Sequence, residues 1–124
     1  MYHSIIIEES LKNPDVLKKY KILRTKFSAE ENWHLHIVEI PDIKKAIAEV
    51  QEAMVNDAQY YFHIYNEGKA LVIVFKNKIF RLDPNNDLTW QEAKEYGAKK
   101  LGIPIGELDF CPNKISEEDG WYNR

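Results

Sequence analysis

Residues 59–82, QYYFHIYNEGKALVIVFKNKIFRL, predict the fold more directly than any other stretch of the chain. Three runs rich in β-branched and aromatic residues are separated by the short polar turns NEG and KNK, a pattern typical of a β-meander. Gly68 in the first turn can adopt a positive φ angle without steric cost. The middle run, ALVIVF, is apolar on both sides, so we expect it to lie centrally in an antiparallel sheet.

Three further stretches on the amino-terminal side of the meander are strand candidates. Residues 3–8 (HSIIIE) and 33–40 (WHLHIVEI) are compact and rich in β-branched residues. Residues 21–27 (KILRTKF) fit either a strand or a continuation of a short helix that begins at Asn13-Pro14, and we favour the strand.

Two longer helices are predicted from apolar spacing and from capping residues. Residues 42–55 (DIKKAIAEVQEAMV) place their apolar side chains on one stripe, and Asp42 can cap the first turn. Thr89 and Glu92 have the spacing of a capping box, with Leu88 placed to pack onto the same helix, and Gly102 suits the end of that helix.

The predicted order of elements is therefore β-α-β-β-α-β-β-β-α. It indicates an α+β fold in which a mostly antiparallel sheet of about five or six strands has two or three helices on one face. We expect one domain over residues 1–112, followed by a polar acidic C-terminal tail over residues 113–124.

Composition excludes several functional classes. The chain has 124 residues, 44% of them hydrophobic and 30% charged, with a formal net charge of −3, which argues against general binding to nucleic acids or anionic membranes. The first residues do not have the pattern of a secretion signal, and no stretch has the length of a membrane span. Cys111 is the one cysteine, so no internal disulfide is expected. We therefore expect a cytoplasmic protein without a membrane partner.

The chain resembles a family of small uncharacterised prokaryotic proteins. The similarity lies in HSIIIEESLKNPDVL near the start, in FHIYNEGKALVIVFKNKIFRL, and in TWQEAKEYG followed by LGIPIGELDFCP. It extends over most of residues 1–112. No activity is assigned to that family, so the resemblance implies a compact, free-standing bacterial or archaeal protein and identifies no catalytic residue.

Two histidines on one predicted strand suggest a metal site. Alternation along WHLHIVEI places His34 and His36 on the same face, where they could bind zinc or a similar divalent metal with His63 as a third ligand. The alternative is that these imidazoles pair with neighbouring strands on a polar part of the sheet. We favour that alternative, because the sequence identifies no carboxylate partner for them, and we expect no cofactor.

The aromatic residues of the meander suggest a binding surface. Tyr61, His63 and Tyr65 share one strand face and are candidates for a ligand site or a protein interface, where tyrosine is favoured. Cys111 lacks the context of an activated nucleophile. The sequence contains no phosphate-binding glycine loop and no serine-hydrolase or kinase signature, so no catalytic motif is found and we lean against an enzyme.

Charge is distributed unevenly along the chain. Basic residues concentrate in the segment 12–26 and acidic residues after residue 106. The two groups could dock on each other within one molecule or between two copies, but a solvated surface is favoured, because exposed ion pairs contribute little.

The favoured function is a non-catalytic cytoplasmic binding or interaction module for a small molecule or a protein, with a homodimer as its favoured assembly. That expectation depends on a sheet with one uncovered face. One alternative is a small metal-binding protein or metal-dependent enzyme that uses His34, His36 and His63. Another is a weak nucleic-acid binder that uses the basic segment 12–26.

Overall fold

The protein folds around one six-stranded antiparallel sheet, which confirms the α+β class. A computed structural model describes residues 1–56 and 59–124. Among these residues, no helix has the length and apolar character needed to cross a membrane. The strands are β1 (Tyr2–Ile7), β2 (Ile22–Ser28), β3 (Trp33–Ile40), β4 (Tyr61–Tyr65), β5 (Leu71–Phe75) and β6 (Lys78–Leu82). Their order across the sheet is β2-β3-β1-β4-β5-β6, and every neighbouring pair is antiparallel.

The predicted meander forms β4, β5 and β6. Gly68 in its first turn has a φ of +84°. The side-chain oxygen of Asn66 accepts hydrogen bonds from the backbone N–H groups of Lys69 at 3.0 Å and Ala70 at 2.9 Å, which fixes the same turn. All five residues of β5 are buried, as expected for a strand inside the sheet. The ambiguous residues 21–27 belong to β2, so the preference for a strand is confirmed.

One side of the sheet, here called the first face, is covered by helix α1 (Ile43–Ala53) and by a 3-10 helix at Pro14–Lys19. Asp42 and Asn13 cap these two helices, each by accepting a hydrogen bond from a backbone N–H of the first turn, as predicted. The apolar side chains buried on this face include Ile6, Val38, Ile40, Ile47, Val50, Phe62, Ile64, Val72 and Val74.

The opposite side, here called the second face, is covered by helix α2 (Gln91–Glu95) and by the chain that follows it. Tyr96, just after α2, packs against Phe75 of β5 and Phe80 of β6, with ring centres 5.0 and 5.7 Å apart. Helical segments therefore lie on both faces rather than on the single face expected. The cause is that the central strands carry apolar side chains on both sides, and both sides have to be buried. The buried residues of this face include Ile5, Ile37, Leu71, Ile73, Leu108 and Phe110.

The helical segment that contains α2 starts differently from the capping box predicted at Thr89 and Glu92. Asn86 is the first cap, and its side-chain oxygen accepts a hydrogen bond from the backbone N–H of Leu88 at 3.1 Å. The Thr89 hydroxyl donates to the Asn86 carbonyl at 2.7 Å. A 3-10 turn therefore precedes α2, and Leu88, which we expected to pack onto the helix, is 76% exposed.

Residues 113–124, expected to form a polar tail, pack on the second face through the short helix α3 (Glu118–Tyr122). Glu118 is buried, and its carboxylate accepts hydrogen bonds from the Tyr65 hydroxyl at 2.6 Å and from Nδ1 of His3 at 2.7 Å. A buried carboxylate needs such partners, so these contacts hold α3 against β1 and β4.

Candidate functional site

The three histidines considered as metal ligands lie on opposite faces of the sheet. Within β3, His34 and His36 point to the first face, as predicted. His63 points to the second face, because it pairs with Ile5, which in turn pairs with Ile37, and directly paired residues share a face. His34, His36 and His63 therefore cannot meet at one metal ion, and that prediction is wrong.

His34 and His36 instead pair with two carboxylates of the 3-10 turn that follows β1. Glu9 accepts hydrogen bonds from the backbone N–H and from Nδ1 of His34, both at 2.7 Å, and Glu8 accepts one from Nε2 of His36 at 2.9 Å. The bond to Glu9 raises the pKa of His34. One ligand atom from each of Glu8, Glu9 and His34 lies within 4.8 Å of the others. The imidazole–carboxylate pairs account for this geometry, so we assign no metal to it.

The basic segment 12–26 is largely paired with other groups of the same molecule. Its contacts give no support to nucleic-acid binding, since they reduce the positive charge left for phosphates. Two of these contacts, from Arg24 and Lys26, also join the basic segment to helix α3. The pairs are Lys18 with Asp15, Lys19 with Glu49, and Arg24 with Asp119, and Lys26 donates to the Trp121 carbonyl at 2.9 Å.

A pocket of about 260 Å³ opens on the second face, over strands β1 to β4. Its floor is built from alternate residues of these strands, which all point to this face. The pocket lies beside the part of the sheet that α2 covers, and its rim comes from residues 103–111 and from α3. The floor residues are Ile5 and Ile7 of β1, Lys26 and Ser28 of β2, Trp33 and Leu35 of β3, and Tyr61 and His63 of β4.

The walls of the pocket are aromatic. The ring centres of Trp33 and Tyr60 are 5.7 Å apart on one side, and Trp121 of α3 lies on the rim. The ammonium group of Lys26 is 4.9 Å from the centre of the Trp121 ring. Tyr61 donates its hydroxyl hydrogen to the Glu107 carbonyl at 2.6 Å, which fixes the rim to the floor.

Among residues 1–56 and 59–124, three carboxyl groups line the pocket: Glu31 in the turn between β2 and β3, and Glu107 and Asp109 on the rim. Burial, a hydrogen bond with the Glu107 carboxyl and the nearby acidic charges raise the pKa of Glu31 to about 7. The Glu31 carboxyl is therefore partly protonated at neutral pH.

Comparisons with family models, with curated proteins and with solved structures found no match for this chain. The function therefore has to be inferred from the site itself. The family resemblance noted in the sequence stays a prediction.

His63 gives the pocket a neutral hydrogen-bond acceptor. The residue is 4% exposed, and burial lowers its pKa to about 4, so the ring is uncharged at neutral pH. Its Nε2 lies 2.7 Å from the Pro112 carbonyl, which can only accept, so Nε2 carries the hydrogen and donates. Nδ1 is then an acceptor, and no donor among residues 1–56 and 59–124 bonds to it.

Two of the three residues predicted for a ligand or interface site, Tyr61 and His63, line the pocket. Tyr65 lies beneath α3, is fully buried, and is not part of the lining. Cys111 also lines the pocket. Burial raises the pKa of its thiol, although the guanidinium of Arg124 donates to Sγ at 2.7 Å and acts in the opposite direction. The thiol is therefore protonated at neutral pH and is not an activated nucleophile.

The sequence did not single out Glu31, Glu107, Trp33 or Trp121 as site residues. Strand alternation does place Trp33 on the face opposite His34, and that signal could have identified it. Glu31 and Glu107 belong to a turn and to a segment without periodic pattern, and only the folded chain brings them together.

Proposed function

We propose that this protein binds a small organic molecule in the pocket on the second face, and that it acts as a binding module rather than as a catalyst. The observation that supports this most is the composition of the pocket. Apolar side chains on part of the floor, aromatic rings beside them and polar groups at fixed positions are typical of small-ligand sites.

The volume indicates a small ligand. Ligand pockets commonly measure roughly 300–1,000 Å³, so a cavity of about 260 Å³ is suited to a compact molecule. Trp33, Tyr60 and Trp121 are all partly exposed around the pocket, and Tyr60 and Trp121 also pack against the two apolar cores.

The other candidate functions have less support. An uncovered sheet face was the reason to expect a homodimer, and both faces are covered within one chain. The three-histidine metal site does not form. Neither observation affects the pocket.

Nitrogen-15 heteronuclear NMR tests binding, because the three tryptophans report on separate places. The indole N–H groups of Trp33 and Trp121 belong to pocket residues, whereas that of Trp90 donates to the Asp83 carbonyl outside the pocket. The probes are 2-phenylethanol, 2-phenylethylamine and phenylacetate, which have similar size and different charge. We expect at least one probe to shift the Trp33 and Trp121 signals in a saturable way and to leave Trp90 unchanged.

A pair of glycine variants provides the control. Added Cβ atoms at Gly106 and Gly120 would both meet open space, but only Gly106 lines the pocket. Gly106→Phe should fill part of the pocket and abolish binding, and Gly120→Phe should not. Saturation with unchanged affinity in Gly106→Phe, or no response of Trp33 and Trp121 to any probe, would refute the proposed function.

A further inference from the structure

Four of the polar side chains that line the pocket offer acceptors, beside Lys26, Ser28 and Gln59, which carry donors. Glu31, Glu107 and Asp109 contribute carboxyl oxygens, and His63 contributes an Nδ1 that accepts no hydrogen bond from the described residues. His63 is more than nine-tenths buried, so water can reach this atom only through the pocket. Nδ1 is open to the pocket, because among the described residues no fully buried side-chain nitrogen or oxygen lacks a hydrogen-bond partner. The pocket is therefore complementary to a ligand that donates hydrogen bonds.

The charge of the pocket is also unbalanced. Among residues 1–56 and 59–124, no lysine or arginine forms an ion pair with Glu31, Glu107 or Asp109. The one lysine that lines the pocket, Lys26, directs its ammonium group to the Trp121 carbonyl. Three carboxyls therefore face one lysine among the described lining residues, and a positive ligand group would reduce this imbalance.

An ammonium ion fits both requirements. It carries three N–H donors and no acceptor, so it can bond to more than one of the carboxyls that line the pocket. The faces of Trp33 and Tyr60 attract a cation as well. The apolar floor at Ile5, Ile7 and Leu35 would hold the hydrocarbon part of the same molecule.

We propose, resting on the binding function proposed above, that the ligand is a small primary amine with an apolar or aromatic body. Its ammonium group bonds to the carboxyls of Glu31 and Glu107 at the mouth, and its body lies on the floor of β1 and β3. The pocket recognises the protonated amino group of the ligand, so it discriminates against amides and carboxylates of the same shape.

Titration of the three probes, followed by the indole signals of Trp33 and Trp121 at about pH 7.5, tests the ligand class. At that pH an alkylamine is protonated. We expect 2-phenylethylamine to bind about tenfold or more tightly than 2-phenylethanol, since hydrogen bonds to charged groups contribute about that factor. Phenylacetate should bind more weakly than the alcohol, because it would lie against three carboxyls.

Charge-removing variants assign the preference to named groups. Glu31→Gln and Glu107→Gln should each reduce the affinity for the amine towards that of the alcohol, while leaving the alcohol unchanged. Glu95→Gln, on the exposed surface of α2, is the matched control and should change neither. The Trp90 signal shows in each case that the variant is folded.

The outcomes separate the two proposals. Equal affinities for the amine and the alcohol would overturn the amine class and leave the binding function standing. A preference for the amine that persists in both Glu→Gln variants would overturn the assignment to this carboxyl pair. No saturable response to any of the three probes would overturn both proposals.

Discussion

Acidification should destabilise the folded protein through His63. The imidazole is buried on the second face and donates from Nε2 to the Pro112 carbonyl. Burial lowers its pKa from the ordinary 6.5 to about 4, although the Pro112 carbonyl and the charge of Asp109 favour the protonated form. The folded protein therefore keeps this ring neutral over a range of pH in which the unfolded chain does not.

The sign and the size of the effect follow from linkage. Between pH 6.5 and about 4 the unfolded chain takes up a proton that the folded protein does not, so the free energy of unfolding falls as the pH falls. A shift of about 2.5 pKa units corresponds to about 3 kcal/mol. This loss begins near pH 6.5 and is complete just below pH 4.

Urea unfolding of the wild type and of His63→Gln between about pH 7 and pH 4 measures this loss of stability. Glutamine does not titrate, and its side-chain amide can donate to the Pro112 carbonyl in place of Nε2. His34 acts in the opposite direction, because its pKa is raised, but it is common to both proteins and cancels in the comparison. We expect the wild type to lose about 3 kcal/mol relative to the variant over this range.

A stability difference between wild type and variant that stays constant from pH 7 to pH 4 would contradict this prediction. So would an NMR titration in which the ring signals of His63 change with a midpoint near 6.5. Either result would mean that His63 is hydrated in the folded protein and is not the neutral acceptor on which the ligand class depends.

Two further predictions concern packing and an ion pair. Gly97→Ala should lower the free energy of unfolding by about 1–3 kcal/mol, measured by urea unfolding, because the added Cβ would lie 2.7 Å from a methyl carbon of the fully buried Leu108. Gly120→Ala is the control and should not be destabilised, because the space around its Cβ is open. Equal losses of stability in the two variants would contradict the packing argument. Glu9→Gln should lower the pKa of His34 in an NMR titration, since the Glu9 carboxylate raises that pKa in the wild type. An unchanged titration midpoint of His34 would show that the His34–Glu9 pair does not form in solution.

Strand alternation was the part of the fold that the sequence predicted best. The side-chain period along a strand is fixed by the backbone, so His34 and His36 could be placed together from the letters alone. Whether His63 shares their face depends on the pairing of β3 with β1 and of β1 with β4, and a shift of one residue in either pairing would reverse the answer. Alternation within a single strand contains no information on that register, and the metal hypothesis failed for this reason.

The cover of the second face could not be predicted for a different reason. Ile103, Leu108 and Phe110 are buried there, but they belong to a segment with little regular structure, so their spacing has neither a helical nor a strand period. We expected the α2 segment to start with a cap at Thr89. Asn86 caps it one 3-10 turn earlier, because its side chain accepts from the Leu88 N–H while the Thr89 hydroxyl bonds back to the Asn86 carbonyl.

The irregular cover of the second face also explains why a pocket exists there. Tyr96 packs on β5 and β6, and α3 is held at one end of β1 and β4 by Glu118. The end of β1 at Ile7 and the start of β3 at Trp33 line the pocket. Glu31 and Glu107 belong to the two segments that border the pocket. An ammonium ligand bonded to both carboxyls would hold these two segments together, so ligand binding and the shape of the mouth are coupled through one pair of carboxyl groups.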